Sequence, residues 1–217
     1  MTEPPRVLIT GFSVFPGAPV NPTEALVARL KKKPPALPGM AGFRAELLAV
    51  EYGSVGARLE EIAAAFAPDI AIHFGLALEC TGFRLERLAR NGIYASRADN
   101  AGVLPEQGCI MDGAGDLPST LPLEAIAARL GAVGLPVSWS DDAGGYLCNY
   151  LFYLSCGPAC PSFAPRMSGF VHVPPMREGD ADPSNAMSLD DIEAGAGLIV
   201  ESCVAEWLAA SAGNAAA

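Results

Sequence analysis

Histidine is scarce in this chain: two in 217 residues, His73 and His172. A metal site built on histidine has little material, and cysteine does not make up for it. The nearest cysteine pair, Cys156 and Cys160 in CGPAC, has no second pair or histidine close by to complete a tetrahedral zinc site. No metal and no cofactor are expected. Long apolar runs are also missing. Half the residues are hydrophobic, yet no run approaches the ~20 needed to span a bilayer, so no membrane partner is expected. Basic charge is short as well: 14 Lys and Arg against 24 Asp and Glu leave a net charge of −10. That balance argues against a nucleic-acid partner, because binding phosphates requires basic surface. The one basic cluster, Arg29, Lys31, Lys32 and Lys33, falls at a helix end, where it complements the helix dipole.

Six cysteines, Cys80, Cys109, Cys148, Cys156, Cys160 and Cys203, are scattered rather than clustered. Disulfide frameworks belong to much smaller secreted domains. The opening MTEPPRVLITGF has no basic stretch followed by an apolar segment, so no signal peptide is expected. Reduced thiols and a cytoplasmic location follow.

What is present is a βαβ rhythm. RVLITGF reads as a buried parallel strand, followed by a Gly/Pro-rich loop over 13–21. Asn21-Pro22-Thr23 gives an N-cap with proline at the first helical position, and EALVARLKKK continues as a helix. FRAELLAVEY is a second strand, Ser54 opens a helix that stops at Pro68, and AIHFG is a third strand. RLERLARNGIY alternates as a strand would, though its length also allows a helix, and 98–118 reads as surface loop. LEAIAARLGAVG, YLCNYLFYLSC and a last helix opened by Ser188 and Asp191 alternate with the strands PVSWS and MSGFVHVPP. The expected fold is one domain, 1–217, of α/β class. It is a three-layer α/β/α sandwich with a mainly parallel twisted sheet and helices on both faces. Residues 211–217 read as a frayed tail.

Cys148 lies just inside a helix start in SDDAGGYLCNYLFYLSC, and His172 ends the strand GFVHV. A thiol is a nucleophile when ionised, and a helix N-terminus and an imidazole both favour that form. Cysteine catalysis also needs a group to orient the imidazole, and Glu79, Glu86, Asp99 and Glu106 are candidates. In doubly wound sheets such groups gather at the carboxyl ends of strands, where the loop after strand one, Cys148 after PVSWS, and His172 are all placed. His73, inside the apolar AIHFG, reads as a hydrogen-bonded core histidine. Taken alone, Cys148 reads equally as a buried helix cysteine.

Four stretches in order carry a resemblance. TGFSVFPGAPVNPTE resembles the TGF-x-x-F-G-G…NP opening of the pyroglutamyl peptidase I family, and FGLALECTGFRLERLARN resembles the segment carrying its catalytic glutamate. SDDAGGYLCN is similar to its S-x-x-A-G-x-[FY]-x-C-N nucleophile motif, and GFVHVP to its G-F-x-H-[VI]-P motif. The resemblance implies Cys148 as nucleophile, His172 as general base and acid, and Glu86 as the third member of a triad. It places Phe12, Phe15 and Tyr146 around a pocket for the flat pyroglutamyl ring. It also implies a homo-oligomer, dimer or tetramer; NYLFYLSC with CPSFAP could supply the interface or the core.

This chain departs from the family pattern in places. The common bacterial G-Q-A-G-G-R is GLALEC here, so Leu76 stands where a glutamine can hydrogen-bond the lactam. N-x-D-D-A-R is NGIYASR, with Ser96 at the arginine position and the arginine, expected near the oxyanion, displaced to Arg97. MREGDADPSNAM lengthens the segment after the histidine. Three functions compete: removal of N-terminal pyroglutamate from peptides or pyroglutamyl amides through a thioester; the same triad acting on another small amide or cyclic amide; and a non-catalytic binding protein.

Overall fold

A computed structural model describes residues 3–177 and 183–213, the side chains of 211–213 excepted. Part of MREGDADPSNAM and the end of the tail lie outside the described residues. The strands and helices follow in the order β1 (Arg6–Phe12), α1 (Pro22–Lys32), β2 (Gly42–Leu48), α2 (Tyr52–Phe66), β3 (Ile70–Leu76), β4 (Phe83–Glu86) and β5 (Leu88–Ala89). Then come β6 (Leu117–Pro118), α3 (Leu123–Ala132), β7 (Val137–Ser140), α4 (Leu147–Cys156), β8 (Met167–Val173) and α5 (Leu189–Gly213). Among the described residues, no helix is long and apolar enough to cross a membrane.

The main sheet has the order β2-β1-β3-β8-β4-β7. β2, β1, β3 and β8 are mutually parallel; β4 runs against β8, and β7 is parallel to β4. The sheet is thus a four-stranded parallel block with a reversed pair at one side. Alternation along each strand sorts residues to two faces. Val7, Ile9, Ile70, Ile72, Phe74, Phe83, Leu85, Val171 and Val173 meet α1, α3 and α5. Leu8, Leu48, Ala71 and Phe170 meet α2 and α4 on the other face. This is the three-layer sandwich expected. The central strands are apolar on both faces because both are covered.

Several local signals act as the sequence implies. Asn21 Oδ1 accepts from the Thr23 N–H at 3.1 Å, with Pro22 at the first helical position. At α5, Ser188 Oγ accepts the Asp191 N–H at 3.1 Å and donates to Asp191 Oδ2 at 2.7 Å. Helix α2 starts at Tyr52 rather than Ser54 and has no side-chain cap of its own. Its first N–H is instead taken by Asp99 Oδ2 at 2.9 Å, from a distant loop. That loop is less superficial than its composition implies, since Asp99 is buried and Leu117–Pro118 pairs with β5. RLERLARNGIY, open between strand and helix, forms two short strands, and α5 extends by backbone to Gly213, into the expected tail. Within NYLFYLSC, the run from Leu151 to Ser155 is buried against the sheet, which makes that stretch core within the chain.

Candidate active site

The reversed direction of β7 changes how the site is assembled. Ser140, the last residue of β7, is level with Glu86, which pairs with Phe170 in β8. The carboxyl end of β7 therefore points away from those of β3 and β8, contrary to the expectation that all three candidates follow the ends of like-directed strands. Residues 141–146 carry the chain back. Gly144 turns it with φ +84, a left-handed conformation that a residue with a Cβ resists. Gly145 packs against Tyr94, and a Cβ there would lie 2.6 Å from that side chain. Asn149 then fixes the first turn of α4 by accepting from the Arg90 N–H at 2.8 Å and donating to the carbonyls of Arg90 and Gly92 at 2.9 Å.

Cys148 is thereby set over Gly75. A Cβ on Gly75 would lie 3.0 Å from Cys148 Sγ and 2.7 Å from the Phe170 ring. Gly75 pairs with His172 across β3 and β8, so the thiol and the imidazole lie over the same face of that strand pair and reach the same cavity. His172 in turn faces Arg84 across β8 and β4, and Glu86, two residues on, shares that face. His172 Nδ1 lies 2.7 Å from Glu86 Oε1; a carboxylate there requires Nδ1 to carry the proton and leaves Nε2 free as a base. The Phe170 ring, 4.9 Å from the imidazole centroid to centroid, packs along it. His172 and Glu86 are 3% and 0% exposed. Among the described residues, no hydrogen bond joins Cys148 Sγ to His172, and Glu86 Oε2 has no partner.

The cavity, about 400 Å³, is lined by Phe12, Phe15, Leu76, Arg84, Arg97, Tyr146, Cys148 and His172, with Glu79 and Asp142 also at its wall. Of the residues that the resemblance assigns to the site, all but Glu86 line it, and Glu86 adjoins it through His172. Of the four candidate acids, only Glu86 meets the histidine. Asp99 instead organises its own loop through the N–H groups of Ala101 and Val103, and Glu106 is exposed. Arg97 sits between two aromatic rings, its guanidinium 4.7 Å from the centroids of both Phe15 and Tyr146. Ring and guanidinium are further held by Tyr146 Oη donating to the Ala98 carbonyl at 3.0 Å. His73 is the core residue expected: its ring bonds Thr10 Oγ1 at 2.8 Å and Ser155 Oγ at 2.7 Å. Sequence reasoning missed Gly75 and Arg84. Their strand positions were visible, but the pairing of β4 with β8 that brings Arg84 to His172 was not.

Electrostatics differ from the expectation of a thiol depressed by its helix start. Burial pushes the Cys148 thiol up to about 12, and Glu86 adds to the rise, while Arg97, Arg84 and the residue's own N–H oppose it. Burial also lowers the pKa of His172, Glu86 raises it and Arg84 lowers it. Burial thus favours the neutral form of both the thiol and the imidazole.

The sequence profile of the pyroglutamyl peptidases matches residues 5–206. The chain belongs to that family, a family of cysteine peptidases. The pyrrolidone-carboxylate peptidase of Pyrococcus furiosus is 40% identical over 170 residues, 78% of this chain and 80% of that protein. That of Streptococcus pyogenes is 36% identical over 200 residues, 88% of each. The solved structure of the P. furiosus pyrrolidone carboxyl peptidase superposes with a TM-score of 0.83 at 35% identity, covering 93% of this chain and 99% of the other.

Proposed function

We propose that this chain removes N-terminal pyroglutamate from peptides or pyroglutamyl amides through a Cys148–His172–Glu86 triad. The observation that carries the reading is the buried 2.7 Å contact of His172 Nδ1 with Glu86, opening onto the cavity that Cys148 shares. The substrate carbonyl following the lactam lies against Cys148 Sγ. As the S–C bond forms, the thiol proton passes to His172 Nε2, and Glu86 stabilises the resulting imidazolium through Nδ1–H. His172 then donates that proton to the leaving amine, the C–N bond breaks, and a pyroglutamyl thioester remains on Cys148. Water, deprotonated by His172, attacks the thioester carbonyl, and the thiolate leaves and is reprotonated.

Phe12, Phe15 and Tyr146 supply the apolar walls for the ring. The oxyanion is met by the positive start of α4 and by Arg97. Leu76 leaves one polar contact to the lactam unmade, which favours weaker turnover and keeps a related small cyclic amide as the second reading. The family resemblance further carries a cytoplasmic homo-oligomer, testable by sedimentation.

Turnover of pyroglutamyl-coumarin amide, compared with prolyl and N-acetyl amino-acid coumarin amides, tests the substrate reading. Selective cleavage of the pyroglutamyl compound is expected. If enzyme with a reduced, alkylatable Cys148 cleaves none of it, the pyroglutamyl reading is wrong.

A further inference from the structure

The triad has a fourth charged neighbour. Arg84 Nε donates to Glu86 Oε1 at 3.0 Å, the same oxygen that receives the His172 Nδ1–H. One arginine nitrogen, Nη2, lies 3.4 Å from His172 Nδ1. Because that Nδ1 already spends its proton on Glu86, the 3.4 Å approach is a contact between a permanent cation and an imidazole. It penalises protonation of His172 rather than bonding to it. The strand register makes the arrangement obligatory: Arg84 is the cross-strand partner of His172, and Glu86 is its neighbour on the same face. The guanidinium side chain is 27% exposed and reaches the cavity wall, whereas Glu86 is fully buried.

We propose that Arg84 is a positioning residue that holds Glu86 oriented toward His172 and sets the protonation range of the Cys148–His172 pair. The inference rests on the triad reading above. The charged and titratable groups facing His172 are Glu86 and Arg84 from β4, Cys148 from α4, and Arg97, Glu79 and Asp142 around the cavity. Of these, Arg84 alone touches both His172 and its carboxylate. Two cations, Arg97 and Arg84, oppose the upward push on the Cys148 thiol. Arg84 therefore favours thiolate formation and, at the same time, a neutral imidazole able to receive the proton. Removing it raises the proton affinity of the whole cluster. Protonation of His172 removes the base, so the acid limb of the rate profile moves to higher pH. A charge a few ångströms away shifts a pKa by about 1–3 units, and partial exposure of Arg84 puts the effect at the low end, about one unit.

The test uses Arg84→Met and Arg84→Lys in the full chain, with two readouts. The first is the pH profile of kcat/KM on pyroglutamyl-coumarin amide; the second is the pH dependence of Cys148 alkylation by iodoacetamide. Arg84→Met should move both curves about one pH unit alkaline, a roughly tenfold loss of rate on the acid side. Arg84→Lys should restore the position of the curves while recovering only part of kcat, because it lacks the fork that orients Glu86. Unshifted curves in a folded Arg84→Met variant overturn the proposal. If Arg84→Met does not fold, Arg84→Gln is read in the same way, and loss of folding in both neutral variants assigns Arg84 a structural role instead. Alkylation needs no substrate. Absence of pyroglutamyl turnover in the wild type would refute the substrate reading and leave the Arg84 result standing.

Discussion

Adding a single methyl group at Gly75 tests the geometry on which the site depends. In Gly75→Ala the new Cβ would meet Phe170 Cζ at 2.7 Å, Phe170 Cε1 at 2.8 Å and Cys148 Sγ at 3.0 Å. Phe170 cannot retreat, because its ring is fully buried against Phe152, His73 and His172. The sulfur can rotate, and it is the atom that moves. Overpacking of this kind costs about 1–3 kcal/mol. For a chain of this length that corresponds to a fall in Tm of roughly 2–12 °C. A thiol displaced by several tenths of an ångström should lose about 10- to 100-fold in kcat/KM, given what a 1 Å misplacement costs. Differential scanning calorimetry and steady-state turnover of pyroglutamyl-coumarin amide measure the two effects. Gly197→Ala is the control: a Cβ there meets nothing within 4 Å inside α5, so the variant should gain roughly 0.5–1 kcal/mol. If Gly75→Ala keeps both its Tm and its kcat/KM, Cys148 does not sit over Gly75 in solution, and the proposed meeting of thiol and imidazole loses its basis.

Cys148→Ala should lower kcat by at least ~10³-fold, and iodoacetamide should label Cys148 before the other cysteines; near wild-type activity in this variant would end the cysteine-hydrolase reading. Leu76→Gln should raise pyroglutamyl kcat/KM several-fold by restoring a neutral hydrogen bond of about 1 kcal/mol, and an unchanged value would place Leu76 away from the lactam. His73 gives a pH prediction. Complete burial lowers its pKa to about 3 from an ordinary 6.5, so the unfolded chain binds a proton that the folded chain refuses. The associated stability is fully present above about pH 6.5 and is lost as pH falls toward 3, at up to about 1.4 kcal/mol per pH unit. His172, also lowered, adds to the loss. Urea unfolding between about pH 7 and 5 should show the decline, and a flat stability would mean that His73 is not held neutral by burial.

The parts of the fold legible in the sequence were those fixed by local chemistry. The Asn21-Pro22 start of α1, the capping pair Ser188 and Asp191, and the doubly buried runs RVLITGF, AIHFG and GFVHV each announce themselves within a few residues. Glu86 was legible only through the spacing of a resembling segment, since four carboxylates were chemically eligible. What stayed hidden was set by pairing between distant segments. The reversed direction of β4 and β7 depends on contacts that no local pattern encodes, and with it went the Arg84–His172 pairing and the route by which 141–146 return Cys148 to the site. Asp99 shows the same limit: it reads as a loop acid, yet it caps a helix 47 residues earlier in the chain. The Cys148 thiol was misjudged for a related reason. A helix start favours the thiolate, but the cavity walls that outweigh it come from distant segments of the chain.

β8 is the eighth strand in the chain and the fourth in the sheet. Without β8, β2-β1-β3 and β4-β7 share no strand among the described residues, because β8 pairs with both β3 and β4. The strand that closes the gap is also the one that carries His172. The pairing of β8 with β3 and β4 therefore both closes the sheet and sets the imidazole beside Glu86. A chain ending before Met167 keeps Cys148 but lacks the imidazole of the proposed triad.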